Sequence, residues 1–166
     1  MSFGIVTASV APVREERSKR SGLVTQLLFG ELFEEEEWRD GWVRVRTGDG
    51  CAGWLEGSAA CEVDDAYASD YRECRREVVR EVFGLVRREG DWAVRTVPVG
   101  SVLPCYDAAC GRFRMGGDFY ALVSGCGEDD GEDARATLTR GAFLYHNTPC
   151  VWGGRSLQGI DSPGLV

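Results

Sequence analysis

The alternation Trp42-Val43-Arg44-Val45-Arg46 constrains the chain more than any other feature. Its period of two sets Val43 and Val45 on one face and Arg44 and Arg46 on the other, the mark of a strand with one face buried. Similar short runs flank it: Phe3 to Val10 and Leu23 to Phe29 before it, and Gly53 to Leu55 after the turn Gly48-Asp49-Gly50. About five short strands within about sixty residues point to a small barrel. Leu27, Phe29, Val43, Val45 and Trp54 are the expected core.

The pattern changes at residues 64 to 82. Asp64 or Asp65 can cap a helix, no Gly or Pro intervenes, and Tyr67, Tyr71, Cys74 and Val78 recur at helical spacing. Strand patterns return at Val82 to Val86, Trp92 to Val97, Val102 to Pro104 and Phe119 to Ser124, enough for a second small barrel. An acidic linker, Glu128 to Asp133, precedes a helix-compatible run from Ala134 to Tyr145. The expected division is a first barrel over 1–64, a linking helix over 65–81, a second barrel over 82–127 and a further unit over 132–166, in a mainly β fold.

Charge narrows the partners. With 27 acidic and 19 basic residues the net charge is −8, which argues against nucleic acid or an anionic membrane. Part of it lies in the run Glu34 to Glu37, expected at a solvated hairpin end. The first twenty residues lack a basic stretch ahead of an apolar one, and no window approaches a membrane span, so the cytoplasm is the expected compartment. Seven cysteines (51, 61, 74, 105, 110, 126 and 150) form no Cys-x-x-Cys pair and accompany no His cluster. That pattern encodes no metal site and no cofactor, and free thiols are expected, with Cys105 and Cys110 close enough to meet across a turn.

The chemistry-bearing stretch is the last one, Tyr145 to Val166. Asn147, Thr148 and Pro149 break a helix, and Gly153 and Gly154 allow a tight or left-handed turn. Asp161 and Ser162 are capping residues and Pro163 suits a first helical turn, so a helix should start here. Unpaired N–H groups at such a start favour an anion, which is where a thiolate nucleophile is placed. A Ser nucleophile needs a base within reach. The single His of the chain, His146, lies in the turn upstream and reads as a loop residue, so Ser162 reads as a cap rather than a catalyst. The plainest readings of Asp161, Trp152 and Cys51 are a helix cap, a packed aromatic and a half-buried strand residue.

This stretch resembles the NlpC/P60 family of bacterial cell-wall cysteine peptidases. The matching positions are Asn147, Thr148, Pro149, Trp152, Gly153, Gly154, Arg155, Gly159, Ile160, Asp161, Gly164, Leu165 and Val166. Upstream, the Gly30-Glu31 bend, the Trp42-Val43-Arg44-Val45 strand and Gly53-Trp54-Leu55 resemble a bacterial SH3 domain, and residues 82–127 resemble a second one more weakly. The resemblance implies tandem SH3-like barrels followed by the first helix and nucleophile motif of a papain-like α+β domain, incomplete in this chain.

It also implies hydrolysis of the bond between γ-D-glutamate and a diamino acid in murein peptides, in the setting of peptidoglycan recycling. Ser162 would hold the nucleophile's place, Asp161 would face the substrate's free amine, and Trp152, Gly153 and Gly154 would shape the wall. Departures from the family's pattern fall at that site. Ser162 stands for the nucleophilic Cys, Pro163 for the Ser after it, and Cys150 and Cys51 for two pocket tyrosines, and no His follows. The implied chain is an inactive relative, with a non-catalytic module that binds cell-wall peptide or a protein partner as the alternative. Residues 145–166 are expected to be poorly supported, with apolar side chains left open to an oligomer.

Overall fold

The computed structural model describes residues 2–126 and 134–165, so the expected linker at Glu128 to Asp133 and the final Val166 lie outside the described residues. The fold is mainly β, as expected. Seven strands form one antiparallel sheet: β1 (Ser2–Val6), β2 (Val10–Arg14), β3 (Leu23–Leu28), β4 (Leu32–Arg39), β5 (Trp42–Arg46), β6 (Ala52–Glu56) and β7 (Ala60–Val63). Their spatial order is β3-β2-β6-β5-β4-β1-β7. One cluster gathers Val6, Ala11, Val13, Leu27, Phe33, Val43, Val45 and Leu55 from six of these strands, so the sheet curls around a single core. Fully burying each of the Val, Leu and Phe side chains is worth about 1.5–3 kcal/mol.

Two expected core residues go elsewhere. Trp54 lies between Gly53 and Leu55, both buried, so the period of two turns its ring outward. There the Arg17 and Arg44 guanidinium carbons sit 5.3 and 6.0 Å from its centroid. Phe29 leaves the first core for a second one, where it meets Phe113 and Tyr120 edge-on at 6.1 and 6.0 Å.

That second core joins the two halves of the molecule. A four-stranded sheet, β9 (Phe83–Arg88), β10 (Arg95–Pro98), β12 (Arg112–Met115) and β13 (Asp118–Ser124), has the order β10-β9-β13-β12. Val86, Val97, Phe113, Met115 and Tyr120 from it pack with Ile5 and Phe29 of the first sheet and with Tyr67 and Tyr71 of helix α1 (Asp65–Glu73). The Asp64 carboxylate caps α1 by accepting from the Tyr67 N–H at 2.7 Å.

The helix is shorter than the 65–81 expected. Beyond Cys74 the chain becomes extended, because Val78 and Glu77 in β8 (Glu77–Val78) pair with Val102 and Leu103 in β11 (Val102–Leu103), while Val79 is fully buried. Gly30 seals the seam. It takes φ +80°, and a Cβ there would lie 1.8 Å from the Val102 carbonyl oxygen. After the second sheet come α2 (Ala134–Leu144), the short pair β14 (Arg155–Ser156) and β15 (Gly159–Ile160), and α3 (Ser162–Leu165). No helix among the described residues is long and apolar enough to cross a membrane.

Candidate functional site

The segment from Cys150 to Leu165 folds into a knot of backbone hydrogen bonds around Asp161. Val151 N–H donates to the Ile160 carbonyl at 3.2 Å, Ile160 N–H to Pro149 at 3.1 Å and Asp161 N–H to Gly154 at 3.1 Å. The Asp161 carboxylate does two jobs at once. One oxygen accepts from the Gly153 N–H at 2.8 Å and so closes the Trp-Gly-Gly turn. The other accepts from the Gly164 N–H at 2.7 Å, three residues on, and so caps α3. Each oxygen keeps a second lone-pair direction for another donor. Ser162 is therefore the first residue of α3 rather than its cap, and it is exposed.

This knot is seated on the first sheet by one side chain. Arg155 donates through Nη1 to the Gln26 carbonyl at 2.9 Å and to Glu31 Oε2 at 3.1 Å, and through Nη2 to Glu31 Oε1 at 2.8 Å. Its own N–H donates to Gln26 Oε1 at 2.8 Å. The forked pair is mostly shielded, with 27% and 19% of the two side chains exposed, which is the setting where a bidentate ion pair holds geometry. Glu31 is positioned in turn by the Leu28 N–H, which donates to Oε2 at 2.8 Å. Gly153 completes the seat. At φ +74° it lies against β3, where a Cβ would come within 2.8 Å of the Val24 carbonyl oxygen.

Beside this clamp is a cavity of about 310 Å³ walled by Glu31, Leu32, Thr47, Asp49, Tyr71 and Arg155 among others. A second, of about 450 Å³, shares Leu32, Thr47, Gly48 and Tyr71 and carries Arg46, Arg72 and Arg76. Both carry mixed charge: Glu31, Asp49 and Arg155 line the first, and Glu34, Arg46, Arg72 and Arg76 the second. Tyr71 is fixed in its wall by donating to the Gly30 carbonyl at 3.0 Å, and burial pushes its hydroxyl up to about 12, so it stays protonated. Burial would raise the Asp49 carboxyl, but the Thr47 hydroxyl and the Cys51 N–H donate to it, and with the Arg155 charge nearby it is held below the usual range.

The predicted site residues divide. Asp161, Gly153, Gly154 and Ser162 come together in the knot, with Gly154 buried against the Gly159 carbonyl. Cys51 follows the loop that supplies Thr47, Gly48 and Asp49 to the cavity; burial first, then the Asp49 charge, raises its thiol, so it is a weak nucleophile. Trp152 is not the packed aromatic expected, being 82% exposed. Trp152, Asp161 and Ser162 do not wall the cavity; Arg155 is the link between it and the knot. His146, the one imidazole, is exposed in the turn after α2. Glu31, Asp49, Tyr71 and Arg155 were not read as site residues from sequence. Arg155 beside the double glycine and Glu31 in the Gly-Glu bend were the available signals.

Residues 13–59 match the bacterial dipeptidyl-peptidase SH3 domain family. A comparison with curated protein sequences gives no match. Among solved structures, the chain is similar to an NlpC/P60 family protein from Bacillus cereus ATCC 10987, with a TM-score of 0.71 and 15% identity over 98% of this chain and 70% of that one. It is also similar to an NlpC/P60 endopeptidase from Photobacterium damselae subsp. piscicida, with a TM-score of 0.69 and 17% identity over 91% of this chain and 38% of that one. These likenesses are of fold.

Proposed function

We propose that this chain is an NlpC/P60-type relative that recognises a murein peptide of the L-Ala-γ-D-Glu-diamino acid kind at the junction of its first sheet and its C-terminal segment, without cleaving it. The observation that carries the reading is the Arg155–Glu31 clamp beside the cavities, which joins the SH3-like part to the knot that holds the nucleophile's place. The cavities suit a zwitterionic peptide. The Asp49 carboxylate can pair with an ammonium, and Arg72 and Arg76 with the free carboxylates of γ-D-glutamate and the diamino acid.

The lack of cleavage follows from the chemistry of Ser162. Hydrolysis of the γ-D-glutamyl bond needs an activated nucleophile and a group that protonates the leaving amine. A Ser hydroxyl has no appreciable nucleophilicity at neutral pH without a base, and His146 is exposed in the turn after α2. Asp161 is committed to two backbone N–H groups and serves the fold of the knot first. A second reading, self-association or partner binding through the C-terminal segment, is supported by the exposure of Leu138, Phe143 and Trp152. Sedimentation across a concentration series tests it: a mass that stays at 18.2 kDa rejects self-association.

The main reading is tested by calorimetric titration with L-Ala-γ-D-Glu-diaminopimelate, followed by mass analysis of the mixture. Saturable binding that Glu31→Gln weakens, with the tripeptide recovered intact, is the expected result. No heat of binding overturns the site, and release of free diaminopimelate at an enzymic rate overturns the non-catalytic assignment.

A further inference from the structure

Two of the seven cysteines face each other between the end of α1 and the loop after β11. The Cys74 and Cys105 sulfurs are 2.7 Å apart, and the Cys105 N–H also donates to Cys74 Sγ at 3.1 Å. Backbone on both sides holds them there. Tyr106 N–H donates to the Arg75 carbonyl at 2.9 Å, the β8–β11 ladder pairs Glu77 with Leu103, and Cys74 N–H donates to the Asp70 carbonyl at 2.7 Å. Cys105 takes φ +52°, a left-handed conformation uncommon outside glycine, and faces Cys74 from there. Cys110, the partner suggested by spacing, instead donates its thiol to Asp107 Oδ2 at 3.1 Å.

We propose that Cys74 and Cys105 are a dithiol site that reacts with low-molecular-weight disulfides to form an intramolecular disulfide, stapling the end of α1 to the loop after β11. Cys74 is assigned the first attack, because the Cys105 N–H donates to its sulfur at 3.1 Å. It displaces one thiol from the small disulfide, leaving a mixed disulfide on Cys74. Cys105 then loses its proton to solvent and attacks the Cys74 sulfur, and the second small thiol leaves. Two protein thiols are oxidised and one small disulfide is reduced to two thiols. Burial first, then the hydrogen bond to Cys74, pushes the Cys105 thiol up to about 12, so it is protonated before the exchange begins. The staple lies three residues from Tyr71, whose ring lines both cavities, so it also fixes that wall.

The test equilibrates the full chain with oxidised and reduced glutathione, blocks remaining thiols with iodoacetamide, and digests with trypsin. A peptide 73–75 linked to 96–112, with Cys110 alkylated, is the expected product. The unfolding midpoint of the oxidised chain should rise by about 5–10 °C, the scale of closing a loop of this size. Cys105→Ser should abolish both, and Cys110→Ser neither. The proposal is overturned if Cys74 and Cys105 are still alkylated separately under conditions in which exposed Cys150 is glutathionylated, or if Cys110→Ser removes the link.

Discussion

The first sheet and the C-terminal knot are both built largely of extended chain and tight turns, yet they are held in different ways. The sheet is held by its interior: Val13, Val43, Val45 and Leu55 are fully buried in one cluster. The knot has little interior. Its buried positions are mostly Gly153, Gly154, Ser156 and Gly159, with Ile160 the one sizeable apolar side chain. It is fastened instead by backbone hydrogen bonds, by the two-handed Asp161 and by the Arg155–Glu31 fork. A packed core spreads its stability over many contacts, whereas a docked segment concentrates it in a few directional ones. The expectation that 145–166 would be poorly supported therefore agrees with the exposure of Leu165 and is wrong about Gly153 to Asp161, which is seated on β3.

The contrast can be broken from either side. The largest effect is expected from Leu55→Ala, which empties part of the first core and should cost about 2–5 kcal/mol of global stability in a denaturant titration. Gly153→Ala should act locally. A methyl group at φ +74° facing the Val24 carbonyl costs about 2–4 kcal/mol, and the knot should open while the midpoint of the sheet is unmoved. Arg155→Met is expected to weaken the seat by about 1.5–3 kcal/mol, since it leaves Glu31 shielded without its partner, and Arg155→Lys should not restore the fork. Asp161→Ala should remove about 0.5–2 kcal/mol as a lost cap, read as faster amide exchange at Gly153 and Gly164. The smallest effect is expected from Ser162→Cys. It supplies a thiol without a base, and release of diaminopimelate from a murein tripeptide should stay undetectable; turnover near 1 per second would contradict the account.

How much of this was readable in advance depended on how local the determinants are. The period of two in Val43 and Val45 is local and placed both in the core as expected. The same period, carried on to Gly53-Trp54-Leu55, already puts Trp54 outside; bulk and aromaticity argued the other way, and the alternation prevailed. Phe29 could not be placed from its neighbours, because the second core that takes it is completed by Phe113 and Tyr120 far along the chain. In the site, the glycines and Asp161 announced a turn and a cap at short range. Arg155 and Glu31 lie 124 positions apart, and no spacing rule pairs them. Cys74 and Cys105 are likewise 31 apart, while the shorter gap from Cys105 to Cys110 is broken by the hydrogen bond to Asp107. Short-range chemistry could be read, and the partners that bring the two halves together could not.

The central claim is that the knot is docked on the first sheet through the Arg155–Glu31 fork. Amide exchange at Val151, Gly154, Ile160 and Asp161, compared between the wild type and Arg155→Met, tests it most directly. Each of these N–H groups has a backbone partner within residues 149–160. The account predicts protection in the wild type well above that of an exposed loop, lost by about 10- to 100-fold in Arg155→Met as the free energy of the fork is removed, while Val43 and Val45 in β5 exchange as before. Wild-type exchange at these four amides as fast as in an unstructured peptide, or protection that Arg155→Met leaves intact, would contradict it.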